Sequence, residues 1–480
     1  MKIAFISAEV VPFAKTGGLA DVAGALPKIL AEKGHEVVVI MPHYKAINNE
    51  KYNLTEITQK LPITLKGYDI DMTVYKSDAI AGVTTYFIGS GGLFFRDGIY
   101  GHNDDEYRFT AFCLGVMALL PIIDFKADIL HANDWHTSLI PVFLKTSYKS
   151  NPFYKNTSSV FTIHNLAYQG TFGEYTLDIA GLPRDLFTPD CLEFYGNFNF
   201  LKVGLIFGDK INTVSETYAK EIQTQEYGEM LDGVLKKRKK DLSGIVNGID
   251  YDIWSPKNDE YISKKFTIES FSGAKAENKL ALQKKLGLKQ DENIPIFGLV
   301  SRLSYQKGID VLIESLKNIL AAKSIQAVFL GTGDDVYHRE VVNLSHKYPF
   351  NVSVNFEFND PLSHEIYASS DFFFMPSRYE PCGLGQLISM SYGTLPIVRS
   401  TGGLEDTVEN IDLENNTAGT GIKFALANAE ALTGAINRAL KVYENKKLFN
   451  ESRKKAMEKD FSWSASAEKY LRLYNDLLEK

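Results

Sequence analysis

Residues 294–308 read IPIFGLVSRLSYQKG and run straight into the amphipathic stretch Ile309–Ala322. The apolar run Ile294–Ser301 does not alternate, so it predicts a strand buried on both faces, as in a parallel sheet. The polar, glycine-ended segment that follows predicts a loop at the strand's carboxyl end. The period of the next stretch predicts a helix covering the sheet. Strand, loop and covering helix in that order are the repeating unit of a doubly wound α/β fold.

The same unit recurs in both directions along the chain. Downstream, strands are expected at Gln326–Gly331, Val352–Phe356, Asp371–Pro376 and Leu395–Arg399. Upstream, they are expected at Ile3–Ser7, Glu36–Met41, Thr84–Ile88, Asp128–His131, Ser159–His164 and Lys210–Val214. Glu430–Tyr443 and Ala465–Leu478 read as further helices. A chain of 480 residues exceeds what one core serves, so the fold class is α/β with two doubly wound, Rossmann-like domains. The segment SGIVNGIDYDIW, with its glycines and Asn-Gly pair, marks the boundary near Ser243–Asp252. Two such sheets in one chain predict a ligand site in a cleft between them, since these folds bind at the carboxyl ends of their strands.

Composition narrows the partners. The net charge of −7 gives no broad attraction to nucleic acid or an anionic membrane. The basic run Lys236–Lys240 reads as a solvated helix end or loop, with phosphate contact as the alternative. Cys113, Cys191 and Cys382 are scattered and form no C-x-x-C pair, which excludes a disulfide framework or thiolate metal site. The start MKIAFISAEV has no signal-peptide pattern. No run approaches the roughly 18 apolar residues of a membrane span. A cytoplasmic protein is expected.

Four glycine turns carry the chemistry. Lys15-Thr16-Gly17-Gly18-Leu19-Ala20-Asp21-Val22 follows the first strand and opens a helix. Its glycine amides can approach an anion and Lys15 can bring a full charge, although a Gly-Gly pair also serves as a plain tight turn. In Ser301–Gly308, Arg302 and Lys307 lie where two cations could hold a diphosphate, one as a planar fork and one as a point charge. Solvated loop cations are the alternative. In Glu380-Pro381-Cys382-Gly383-Leu384-Gly385-Gln386, backbone amides beside a carboxylate suit sugar hydroxyls, which both donate and accept. Cys382 has no histidine-containing triad beside it, so it is not read as a nucleophile. The turn Ser400–Asp406 repeats the form of the first.

Taken together, KTGGLADV, HANDWH, FTIHNLAYQG, EFYGNFNFLKVG, SRLSYQKG, PSRYEPCGLGQL and GTLPIVRSTGGLEDTV stand in the order found in bacterial glycogen synthases and plant starch synthases. The chain resembles that family over residues 1 to about 410, and the remainder has a compatible length. The resemblance implies the GT-B fold, two Rossmann-like domains facing a deep cleft. Residues 1–243, joined by the C-terminal helix 461–480, would form the acceptor side, and 244–460 would bind the sugar nucleotide.

It further implies that Arg302 and Lys307 hold the donor diphosphate, with Lys15 and the amides of Gly17 and Gly18 closing over it. Glu380 and the amides of Cys382, Gly383 and Leu384 would hold the glucose hydroxyls. His164 and Asn247 would lie beside the transferred glucose, and Asp134 on the acceptor side. His164, Arg302, Lys307 and Glu380 would carry catalysis. Phe358 stands where the family has a tyrosine stacked on the donor base, with Glu357 before it; stacking survives and the phenolic hydroxyl is lost. The implied reaction is transfer of glucose, with retention, from ADP-glucose to the non-reducing 4-OH of an α-1,4-glucan such as glycogen, without a cofactor.

Two rival metal sites are set aside. Asp69-Ile70-Asp71 has the D-x-D form but sits in YDIDMTVY, whose alternation predicts one solvated strand face. His131, Asp134 and His136 are ligand types split between a strand end and the helix after it. No required metal is expected. The alternatives carried forward are a related transferase using UDP-glucose or another acceptor, and a noncatalytic sugar-nucleotide or glucan-binding protein.

Overall fold

The structure, a computed structural model, describes residues 1–357 and 359–479. The chain divides into two compact units, Met1–Ile245 with Trp463–Lys480, and Val246–Ser462. Among the described residues no helix is long and apolar enough to cross a membrane.

The first unit is built on nine strands. From one edge they run Leu242–Gly244, Lys210–Thr213, Ser158–Ile163, Ile129–Asn133, Lys2–Ile6, Glu36–Pro42, Val83–Gly89, Tyr68–Ile80 and Thr55–Leu65. Pairing is parallel from the first edge through Val83–Gly89, and the central strands, such as Lys2–Ile6 and Glu36–Pro42, are unbroken apolar runs of the sequence. Ile3, Ala4, Phe5 and Ile6 are wholly buried, as expected for a strand covered on both faces. Tyr68–Ile80 pairs antiparallel with both neighbours. Asp69 and Asp71 both lie on its exposed face, with Met72 and Val74 buried on the other side of the pleat. Gly244 still pairs with Thr213, so this sheet continues into the predicted boundary segment.

The C-terminal helix Trp463–Leu478 packs on this first unit. Trp463, Ala467, Tyr470, Tyr474 and Leu477 recur every three or four residues and enter its core. The Tyr474 hydroxyl lies 2.7 Å from His131 Nδ1, and Asn212 Nδ2 donates to the Tyr470 hydroxyl at 3.1 Å.

The second unit carries six parallel strands in the order Val352–Asn355, Gln326–Leu330, Ile296–Val300, Phe372–Met375, Leu395–Arg399 and Ile422–Phe424. Strand succession moves outward one way from Ile296–Val300 and the other way from Phe372–Met375. The switch point, where such sheets open a crevice, therefore lies between these two strands. In the first unit it lies between Lys2–Ile6 and Ile129–Asn133. The loops that leave these four strands hold most of the residues singled out by sequence.

Candidate active site

In the first unit, the chain leaves Lys2–Ile6 and reaches the helix Gly18–Glu32 through residues 7–17. Glu9, a buried residue of this loop, organises it. Its Oε2 accepts the Thr16 N–H, and the Gly17 N–H at 3.0 Å; its Oε1 accepts the Tyr100 hydroxyl at 2.6 Å. Burial and the Glu9 charge hold the Tyr100 phenol well above its usual range, so it stays a donor. Lys15, Gly17 and Gly18 are exposed, and Lys15 Nζ pairs with Asp21 at 2.7 Å. The Gly17 amide read from sequence as an anion contact is thus already held by a carboxylate.

Across the switch point, Asp134 follows Ile129–Asn133 at φ 56° and accepts the His164 N–H at 2.7 Å. Burial lifts its carboxyl to about 7; the amides of His164 and Asn165 oppose that rise, and the charge of Glu9 adds to it. The His164 ring lies 2.9 Å from Asn133 Oδ1. Asn133 Nδ2 donates to the carbonyls of Ile6 (3.0 Å) and His131 (3.2 Å), which leaves its Oδ1 as an acceptor. His164 Nε2 therefore carries the proton and Nδ1 is a bare acceptor. Burial lowers the imidazole to about 3, so it is neutral at physiological pH.

The HANDWH segment gathers no metal set. His131 sits inside its strand rather than at the end, engaged on both nitrogens by Tyr474 and by Thr162 at 2.7 Å. His136 stacks on Tyr100. Among the described residues no three His, Cys, Asp or Glu side chains converge as metal ligands.

The raised Asp134 pKa has a measurable consequence. Its folded value lies above the unfolded value of about 3.9, so the folded state retains a proton that the unfolded state releases. This contribution to stability is full below about pH 4 and is lost as pH rises toward 7. Melting temperatures across that window should fall less steeply with pH in Asp134→Asn than in the parent protein. Equal slopes would contradict the raised pKa.

In the second unit, Ile296–Val300 leads through Arg302 into a short 3-10 turn, Tyr305–Lys307, ended by Gly308 at φ 66°. A Cβ on Gly308 would lie 2.2 Å from the Pro376 carbonyl oxygen. Only glycine lets this loop approach the one that leaves Phe372–Met375 so closely. The Arg378 guanidinium grips Asp310 at 2.7 and 2.6 Å and the Tyr305 carbonyl at 2.9 Å, joining the two loops further.

Their union places Lys307 Nζ 2.6 Å from Glu380 Oε2, which also accepts the Ser377 hydroxyl at 2.9 Å. Glu380 Oε1 has no partner among the described residues. Neither does Arg302, whose side chain is exposed. Two of the predicted donor residues are therefore a contact pair, and the second cation, Arg302, lies unpaired on the loop that carries Lys307.

Beyond Glu380, Cys382 is buried and its thiol is pushed up to about 12 by that burial, with the Asn247 N–H opposing the shift. A thiol in that state is not a nucleophile at neutral pH. Cys382→Ser should keep most of the activity that the family resemblance implies; inactivation with the fold and ligand affinity intact would revive a thiol mechanism. Asn247 is buried and its Oδ1 has no partner. The Ser400–Asp406 turn packs directly on this segment: the Gly403 N–H donates to the Glu380 carbonyl at 3.1 Å. A Cβ on Gly402 would lie 2.0 Å from that carbonyl oxygen.

Sequence reasoning missed the loop Gly331-Thr332-Gly333-Asp334. The Leu303 N–H donates to Thr332 O at 2.8 Å and the Asp334 N–H to Leu303 O at 2.9 Å, so this loop braces the Arg302 loop. Its glycines after a strand were the available signal. It also missed Glu9, whose contacts leave no mark in sequence. Phe358 lies outside the described residues. Three of the five cations of the basic run pair locally: Lys236 with Asp232 (2.7 Å), Lys237 with Asp190 (2.9 Å) and Arg238 with Asp241 (3.1 Å).

Glycine turns and charged side chains gather at the switch points of two doubly wound units, and the family and structural matches assign this arrangement to the GT-B glycosyltransferases. Residues 2–237 match the starch synthase catalytic domain family, and residues 279–456 match glycosyl transferases group 1. Glycogen synthase of Thermosipho melanesiensis is 46% identical over 482 residues, covering 100% of both chains. That of Moorella thermoacetica is 45% identical, covering 100% of this chain and 97% of the other. The solved catalytic domain of starch synthase IV from Arabidopsis thaliana, bound to ADP and acarbose, superposes with a TM-score of 0.92 at 33% identity. That match covers 100% of this chain and 99% of the other. The chain belongs to the starch synthase and bacterial glycogen synthase family.

Proposed function

We propose that the protein transfers glucose from ADP-glucose to the non-reducing 4-OH of an α-1,4-glucan, with retention at the anomeric carbon. The observation that carries this reading is the group at the second unit's switch point: the unpaired Arg302 guanidinium, the Lys307–Glu380 pair and the free Glu380 oxygen. Cations there suit a diphosphate, and a carboxylate acceptor beside them suits a sugar hydroxyl. End-to-end similarity to proteins named glycogen synthase, and to a starch synthase solved with ADP and acarbose, supports this donor and acceptor.

In the proposed reaction the bond between the glucose C1 and the diphosphate oxygen breaks, and ADP leaves with the electron pair. Arg302 and Lys307 stabilise the charge that grows on the diphosphate. Lys15 and the Gly17–Gly18 turn of the first unit close over the donor. Glu380, Asn247 and the amides of Cys382, Gly383 and Leu384 hold the sugar, while neutral His164 accepts from a glucose hydroxyl through Nδ1. The acceptor 4-OH bonds to C1 on the face ADP leaves, and its proton passes to the departing phosphate oxygen. Asp134 serves the acceptor side.

The decisive assay offers radiolabelled ADP-glucose and UDP-glucose, each with glycogen and with maltose, in excess EDTA. Incorporation into glycogen from ADP-glucose is expected. Transfer only from UDP-glucose, transfer only to maltose, dependence on a divalent ion, or no transfer would each overturn part of the reading. Asp71→Asn, on the exposed strand face of Tyr68–Ile80, should leave donor affinity unchanged.

A further inference from the structure

The turn at Cys382–Leu384 depends on a side chain that touches no expected substrate atom. Gln386 is fully buried. Its Nε2 lies 3.0 Å from the Cys382 carbonyl oxygen, 3.0 Å from that of Gly383 and 3.2 Å from Thr407 Oγ1. Thr407 Oγ1 spends its own proton on the Gly403 carbonyl, at 2.6 Å, so it can only accept from Gln386. Three acceptors around one atom fix which end of the amide faces them. Gln386 Oε1 is left buried without a partner. It lies under Gly383, where a Cβ would come within 2.5 Å of it, and Gly383 has φ 77°.

The peptide bonds of this turn are trans. In a trans peptide the carbonyl and the following N–H point in opposite directions. Drawing the Cys382 and Gly383 carbonyls toward Gln386 therefore turns the Gly383 and Leu384 N–H groups away from it. Among the described residues neither N–H has a protein acceptor, and both residues are half-buried at the start of the helix Gly385–Ser391, where the first N–H groups are left open to a ligand or water. The same glutamine, through Thr407, ties this turn to the Gly402–Gly403 turn, which packs so tightly that a Cβ on Gly403 would lie 2.1 Å from the Cys382 carbonyl oxygen.

We infer that Gln386 is a positioning residue for donor recognition: with Thr407 it fixes the peptide planes of the Cys382–Leu384 turn so that two amides are presented to the transferred sugar. The inference rests on the assignment of those amides to glucose in the proposed function. It makes Gln386 specific for the sugar end of the donor and indifferent to the diphosphate, which Arg302 and Lys307 hold.

The test compares the affinity of the full-length protein for ADP and for ADP-glucose by calorimetry, alongside kcat and KM. Gln386→Leu keeps the packing volume and loses the amide. It should lower kcat/KM for ADP-glucose by about ten- to hundredfold and weaken ADP-glucose binding. ADP affinity should stay within about twofold, because no charge-assisted contact is lost. A substitution that merely loosened the fold would weaken both ligands together, and that result would overturn the inference, as would no change in either.

Should Gln386→Leu fail to fold, Thr407→Val carries the test. It removes the hydroxyl that orients Gln386 and should shift the same ratio in the same direction, while Thr407→Ser should restore it. A Thr407→Val protein with the parent ratio would overturn the inference. Arg302→Ala separates the two levels of the argument. If it leaves ADP affinity intact, the donor-site reading has failed. If it weakens ADP while the Gln386 and Thr407 variants keep the parent ratio, the positioning role alone has failed.

Discussion

Arg302→Ala should lower kcat/KM for ADP-glucose by about 10²–10³-fold, the usual loss when one preorganised donor to a developing negative charge is removed. Lys307→Ala should lose activity by a similar factor, and the two variants should differ in stability. Arg302 has no partner among the described residues, so its removal should leave the melting temperature unchanged. Lys307 is one of the two groups that satisfy Glu380 Oε2, at 2.6 Å, and Glu380 is buried. Taking the ammonium away leaves that carboxylate oxygen with Ser377 alone, at a cost of about 1–2 kcal/mol once the partial exposure of Lys307 is allowed for. Loss of activity without loss of stability in Arg302→Ala, and loss of both in Lys307→Ala, is the pattern expected. Near-normal turnover in both would end the donor assignment.

Gly308→Ala should be among the most damaging small substitutions in the second unit. The residue sits at φ 66°, and its new Cβ would fall 2.2 Å from the Pro376 carbonyl oxygen, a backbone atom that cannot rotate aside. The left-handed conformation alone costs an alanine about 1 kcal/mol, and the clash brings the total to about 3 kcal/mol. For a unit of this size the melting temperature should fall by about 10 °C. Because relief of the clash must separate the Lys307 and Glu380 loops, activity should fall even well below the melting temperature. Calorimetry with parallel assays checks both. A variant with the parent stability would show that the two loops do not approach so closely.

What the sequence revealed, and what it hid, follows from how local each signal is. Strands such as Ile296–Val300 and Lys2–Ile6 are legible because burial on both faces demands an unbroken apolar run. The hairpin of Thr55–Leu65 and Tyr68–Ile80 was only half visible. Its inner strand alternates, but the outer one is largely exposed and polar. Its turn, with positive φ at Lys66 and Gly67, replaces the familiar Asn-Gly with a lysine. Strands as short as Glu193–Phe194 and Asn197–Asn199 carry no usable period.

The same distinction runs through the site. Glycine turns announce themselves because a positive φ or a close approach needs glycine, as at Gly308, Gly383 and Gly402. What those turns hold is set by partners far along the chain. Glu380 meets Lys307 from another loop, Glu9 reaches Thr16 and Gly17 from across its own loop, and Gln386 meets Thr407 from the next turn. No spacing rule predicts such pairs. The reading of Gly17 as a free anion contact also could not foresee Glu9, a carboxylate that already occupies that amide.

The most direct test of the account is a crystal structure of the full chain soaked with ADP. The account predicts diphosphate oxygens within hydrogen-bond distance of the Arg302 guanidinium and the Lys307 ammonium, at the carboxyl end of Ile296–Val300. ADP bound elsewhere, or bound with its diphosphate away from both cations, would contradict it.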